Sequence, residues 1–274
     1  MRPTGIFFLF LLVCLVLGAL LTYPVYQTGW IEAHPHKVMT RLAQLFILLG
    51  IWPLLRAMHL NHARDLGYGV TWPGLRRALM LGWLAGVALL SVPALAVIAL
   101  GIRVPAPVAP DFWGVLIEEA VLALFSGLLI ALAEETFFRG ALFSAVRRGG
   151  TLSSALFWSA LLYAVIHFLK PHVLSPGQTF DATASWQMFL GVFTSFVQWR
   201  HMDSLFALCL AGLLLGLGRE RTGHIGGCIG MHAGWVFVIK LTRHLTDGNP
   251  DSAYAFLVGS YDGTIGWLAS AWMA

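Results

Sequence analysis

The chain has 274 residues, 58% of them hydrophobic and 11% charged, with a formal net charge of +4. Its mean hydropathy is +0.77 and its pI is near 9.2. A soluble domain carries about 25% charged residues, so this composition excludes a chain that must cover a water-facing surface. Strand-like alternation is absent, which leaves an all-α, polytopic helical membrane protein with about seven to eight transmembrane helices. The basic balance does not indicate nucleic acid. Arginines cluster in short loops between apolar spans, as the positive-inside rule requires, and no long basic string with interleaved aromatics occurs.

A helix needs about 20 apolar residues to cross a bilayer. The first such run is Gly5–Tyr23; it follows Met1-Arg2 and is read as a retained helix because no Ala-x-Ala cleavage site follows. A shorter span, Leu42–Met58, contains Pro53. A basic loop, 56–77, then leads to a span at Ala78–Gly101 with Pro93 inside. After the Pro-rich turn 102–111, one long apolar stretch runs from Phe112 to Val146. It ends at Arg147-Arg148-Gly149-Gly150, a cationic stop closed by glycine. Thr151–Phe168 is the next span, followed by a polar loop over 169–185 and an aromatic interfacial segment at Trp186–Gln198. Ser204–Gly218 and His224–Ile239 are further spans. Tyr254–Met273 reads either as an eighth span or as a membrane-surface segment. The Arg-bearing turns at 56–77, 147–148 and 219–221 alternate along the chain and place the N-terminus in the cytoplasm; Lys240 and Arg243 then fall outside, against the rule. By this reading 1–111 are transmembrane helices without a motif, 112–241 the motif-bearing core, and 242–274 a tail or final span. Compact loops and the lack of a recognised sorting signal point to a bacterial inner (plasma) membrane.

Within the long apolar stretch lie Glu134, Glu135 and Arg139. Charges in a span cost roughly 2.5–3.5 kcal/mol each on insertion scales, so ionisable groups kept there mark function by default. Glu135 and Arg139 are i, i+4 and can pair. Glu134 is turned by about 100° and has Phe138 at i+4, so its carboxylate is left to accept a proton. His167 and His232 lie in equally apolar runs. Counted from their flanking arginines or glycines at 1.5 Å per residue, Glu134, His167 and His232 sit roughly 20, 26 and 16 Å deep, which allows one shared pocket. Glu118-Glu119 sit nearer their helix start, where the dipole suits negative charge. His224 opens its helix beside glycines as an accessory group. The glycines of 223–230 lack a preceding strand and therefore read as close helix packing rather than a nucleotide fingerprint. Cys14, Cys209 and Cys228 read as small buried hydrophobes.

The set Glu134-Glu135-x-x-x-Arg139, then Tyr163-x-x-x-His167, then His232 resembles the three motifs of the CAAX-processing and bacteriocin-processing intramembrane proteases, also called the Abi family, to which the Ras-converting CAAX endopeptidase belongs. The resemblance covers roughly 112–241. It implies a glutamate-dependent endopeptidase in which Glu134 and His167 activate a water, His232 stabilises the oxyanion, and Glu135 and Arg139 hold the site in shape. It also implies a peptide or lipidated-peptide substrate drawn from among membrane lipids. Two positions depart from the family pattern. Tyr163 stands where Phe is common, and Val236 stands where Asn commonly follows the last histidine by four; the only asparagines are Asn61 and Asn249. Trp235 offers an indole N–H nearby.

Many relatives are called metalloproteases, and a Glu/His/His set has the donors for zinc. No His-Glu-x-x-His helix is present and Arg139 opposes a dication, so the expectation is a metal-free site with zinc as the alternative. A non-catalytic membrane binding or scaffold protein is the competing class. A proton-coupled transporter is the third, weakened by the lack of inverted repeats or paired broken helices.

Overall fold

The computed structural model describes residues 3–108, 110–175, 177–196 and 201–274. Met1, Arg2, Pro176, and the Val197-Gln198 end of the expected aromatic segment lie outside the described residues. Ten α-helices are described: α1 Pro3–Gln27, α2 Pro35–Ala57, α3 Trp72–Ala99, α4 Phe112–Glu135, α5 Phe143–Gly149, α6 Leu152–Ile166, α7 Ala182–Phe196, α8 Met202–Thr222, α9 Gly226–Leu245 and α10 Trp267–Met273. Five helical runs are long and apolar enough to cross a membrane: α1, α2, α3, the continuous run Phe112–Gly149, and α8. The protein is thus an all-α polytopic membrane protein. The described residues add one two-stranded ribbon, β1 Arg103–Pro105 against β2 Thr246–Gly248, antiparallel with Val104 opposite Asp247.

Several helices begin earlier than hydropathy suggests. α2 starts at Pro35, a residue whose fixed φ suits the first helical position, and its first turns carry His36, Lys37 and Arg41. α3 starts at Trp72, because the Thr71 hydroxyl accepts from the Gly74 N–H at 3.4 Å and caps the helix. Arg76 and Arg77 therefore belong to α3 and not to the preceding loop. Polar residues lower the hydropathy of a first turn without preventing the helix. The segment 254–273 forms no continuous helix: a 3₁₀ turn at Ala255–Leu257 is followed by irregular chain and the seven-residue α10. Seven residues rise only about 10 Å, so the eighth-span alternative does not hold. Asp262 and the glycines at 259, 263 and 266 account for the break, Gly263 adopting a positive φ of 70°.

The chain forms two compact units, Met1–Asn61 with Ala164–Trp199, and His62–Tyr163 with Arg200–Ala274. In the first, α1 packs on α2 where Gly18 meets Met39 and Ala43, and on α7 where the Ser185 hydroxyl donates to Ala19 O at 2.7 Å. In the second, α9 is the central helix and touches both α3 and α4. α3 and α9 meet through glycines: Gly82 and Gly86 face the backbone of Gly227 and Met231, and Gly230 and Gly234 face that of Leu79 and Trp83. Close approach of this kind is the usual basis of helix association in lipid, where dispersion replaces the hydrophobic drive. A Cβ at Gly230 would overlap the Leu79 carbonyl. Gly230→Ala is expected to cost about 1–3 kcal/mol by overpacking and to lower the melting midpoint in detergent. An unchanged midpoint would mean the two backbones do not touch.

Outward faces are apolar and inward ones small. On α4, Ala123, Gly127, Ala131 and Glu135 are buried, four residues apart, whereas Phe125 and Leu129 are exposed. That stripe meets α9, with Ala131 in one cluster with Ile229 and Ala233 and with Ile225 just before the helix.

Candidate functional site

The last residue of the α4 stripe is Glu135. Immediately after it the helix widens into a π-helical turn, Thr136–Leu142, before α5 resumes. Such turns are rare and recur at functional sites. Arg139 lies within this turn, fully buried, as is Glu135. Its Nη1 donates to Glu135 Oε1 at 3.0 Å, and its Nη2 to the Gly212 carbonyl of α8 at 3.1 Å. Its guanidinium carbon lies 4.4 Å from the centroid of the Tyr163 ring, a cation–π contact. Gly212 also lies hard against Ala160 of α6. Tyr68 adds a second tie, its hydroxyl lying 2.5 Å from that of Thr136.

His232 enters from α9 between the two carboxylates. Its Nδ1 lies 2.9 Å from Glu135 Oε1 and its Nε2 lies 3.9 Å from Glu134 Oε2. The imidazole is almost wholly buried, whereas the Glu134 side chain keeps 27% of its surface. Glu135 Oε1 therefore accepts from both Arg139 and His232, and that carboxylate orients both. A carboxylate against one ring nitrogen orients the imidazole: Nδ1 faces Glu135 and Nε2 is presented on the Glu134 side. Tyr163 packs edge-on to the His232 ring, with centroids 5.9 Å apart.

Glu134, Glu135, Arg139 and His232 thus come together in the second compact unit. His167 belongs to the first unit, on the turn just past α6, where its backbone N–H donates to Ala164 O at 3.3 Å. Val236 faces α4: a Cβ at Gly127 would lie 3.4 Å from its Cβ and Cγ1. Trp235 packs into an apolar cluster with Leu90, Ala94, Ala211 and Leu215, and its indole N–H is buried without a hydrogen-bond partner among the described residues. Glu118 and Glu119 sit roughly 24 Å along α4 from Glu134, and Glu118 is exposed. His224 lies in the connection between α8 and α9, with its Nδ1 buried and without a hydrogen-bond partner among the described residues.

The acceptor role of the Gly212 carbonyl and the π-helical turn had no counterpart in the sequence motifs. No group of three or more His, Cys, Asp or Glu side chains suited to a metal occurs among the described residues.

Neither a curated protein nor a solved structure matches the chain. A family model does, and its span contains both glutamates, Arg139, Tyr163, His167 and His232. The family is described as type II CAAX prenyl endopeptidase Rce1-like. The match covers residues 116–238, under half of the chain, and it is to this family of prenyl endopeptidases that this stretch is similar.

Proposed function

We propose that the protein is an intramembrane endopeptidase that hydrolyses a peptide bond with a water activated by Glu134. The observation that carries this reading is the imidazole held between two carboxylates, one locked by a buried guanidinium and the other partly open. Glu134 takes a proton from water as the water oxygen bonds to the peptide carbonyl carbon. His232 Nε2 donates to the oxyanion that develops on the carbonyl oxygen, a contribution worth about 10²–10³ in rate for one donor. Glu134 then returns its proton to the leaving amine as the C–N bond breaks. Glu134 and Glu135 carry two negative charges and Arg139 one positive, so an imidazolium at His232 brings the set to neutrality, which suits a low-dielectric site. His167 joins Glu134 as a water-activating group on the strength of its sequence motif alone.

The reading is metal-free. Glu135, the best-buried carboxylate, already holds a guanidinium, and a dication beside that fixed positive charge would be repelled. The family description supports a C-terminal prenylated peptide as the substrate class. We place the N-terminus in the cytoplasm of a bacterial inner membrane. Support comes from two ion pairs, Arg148 with Asp65 at 2.6 Å and Arg147 with Glu220 at 3.3 Å, which gather the Arg-bearing turns at one end of the second unit.

The test uses the purified full chain in liposomes with a quenched, S-farnesylated CAAX-type peptide in ¹⁸O-water. The expected result is a shortened peptide carrying one ¹⁸O in its new carboxylate, formed equally with and without a strong zinc chelator. Activity lost to chelator and regained with zinc would overturn the metal-free mechanism. No cleavage of any peptide in matched membranes would favour the binding-protein reading.

A further inference from the structure

The Arg-bearing end of the second unit holds a cavity of about 400 Å³ that the hydrolytic reading does not use. Asp65, Ser144, Arg147, Arg148, Arg219 and Glu220 line it, so three guanidiniums face two carboxylates. Arg147 gives its Nε and Nη2 to one oxygen of Glu220, at 3.4 and 3.3 Å, and Arg148 gives its Nη2 to Asp65 Oδ1 at 2.6 Å. The two arginine side chains keep 45% and 46% of their surface open, and pairs so exposed hold weakly. Arg219 is the cation left over. Among the described residues its side chain makes no ion pair, and its one hydrogen bond runs from Nε to the Arg139 carbonyl at 3.4 Å. Its guanidinium also lies against Gly67, where a Cβ would come within 2.9 Å of Arg219 Cζ. Gly67 holds a φ of 84°, which glycine adopts freely. A guanidinium held in this way has little freedom left to lose on binding. Beside it, the Gly223 N–H donates to Arg219 O at 3.0 Å and meets part of the negative charge at the end of α8.

We propose that this cavity binds the phosphate of an anionic phospholipid headgroup. Guanidinium forks match pairs of phosphate oxygens, and three arginines against Asp65 and Glu220 leave a surplus of one positive charge that selects an anion. Position selects the lipid over a free ion. Arg147 and Arg148 close the apolar run Phe112–Gly149, and Arg219 lies in the last turn of α8, the two runs each being long and apolar enough to cross a membrane. The cavity therefore opens where hydrocarbon ends and headgroups begin, the level at which basic pockets between helices take anionic lipids. The Ser144 hydroxyl on its wall adds an uncharged donor. A headgroup held here touches Arg219, which already bonds the backbone of Arg139; the lipid thus braces the turn that carries the buried arginine. The proposal does not rest on peptide hydrolysis and holds equally for a membrane binding protein.

The experiment titrates the full chain in detergent with phosphatidylglycerol, with phosphatidylcholine of the same acyl chains, and with inorganic phosphate. Bound lipid is followed by native mass spectrometry, and the melting midpoint is read in each titration. Wild type is expected to hold phosphatidylglycerol more tightly than phosphatidylcholine, and to gain in melting midpoint with it but not with inorganic phosphate at the same concentration. Arg219→Gln should weaken phosphatidylglycerol binding by about fivefold, the loss expected for one basic residue near a lipid surface, and leave phosphatidylcholine binding unchanged. Ser144→Asp keeps all three arginines and answers their surplus charge with a carboxylate of its own, so it should weaken phosphatidylglycerol binding to a similar degree. It decides the matter if Arg219→Gln does not fold. Equal affinity for the two lipids in wild type, or wild-type affinity for phosphatidylglycerol in Ser144→Asp, would overturn the proposal. A midpoint raised equally by inorganic phosphate would overturn the lipid as the source of the phosphate.

Discussion

Glu134→Gln is expected to lower peptide cleavage by about 10²–10⁴-fold, the usual loss when a general base is removed, while the protein melts as wild type does. Gln keeps the size and one acceptor oxygen but cannot take a proton from water. The fold should tolerate it because Glu134 is the exposed member of the pair, with 27% of its side-chain surface open, and because the buried tie runs through Glu135. The measurement is cleavage of the farnesylated peptide alongside a thermal melt. Near-normal cleavage by a well-folded Glu134→Gln protein would remove Glu134 from the mechanism.

Arg139→Ala should act on stability as strongly as on activity. The substitution strands Glu135, whose side chain has no exposed surface, and frees the Gly212 carbonyl and the face of Tyr163. Breaking a buried pair by removing one partner costs roughly 3–5 kcal/mol, whereas replacing both partners with neutral groups is often near-neutral. The double variant Glu135→Gln with Arg139→Gln should therefore recover most of the melting midpoint. It should not recover activity, because Glu135 also holds Nδ1 of His232. Wild-type melting of Arg139→Ala would show that the guanidinium does not neutralise Glu135.

The spans were legible because bilayer thickness imposes a length and a hydropathy that any apolar run must display, as in α1 and α8. The Glu135–Arg139 pair was legible because i, i+4 spacing is local. The glycines of 223–230 were legible as packing residues, and the structure sets Gly226, Gly227 and Gly230 against α3 and leaves Gly223 in open space. Other features rest on long-range partners that carry no local signal. Nothing in Thr-Phe-Phe-Arg-Gly-Ala-Leu marks it as π rather than α. Val236 could be placed beside His232 by helix period, yet its turn toward Gly127 depends on how α9 meets α4. Depth counting put Glu134, His167 and His232 at interior depths, and depth along a span carries no information on which compact unit a residue joins.

The four-residue link between Glu135 and Arg139, set against the 97 residues that separate Glu135 from His232, has a consequence for synthesis. Chains emerge N-terminus first. Glu135 enters the bilayer already neutralised by an arginine on the same helical run, sparing the insertion cost of that one charge. Its partner His232 arrives only when α9 leaves the ribosome. A chain interrupted before α9 is therefore one that the membrane accepts but that lacks the His232 imidazole, so on the proposed mechanism a stalled or truncated product is without the oxyanion donor that cleaving its neighbours would need.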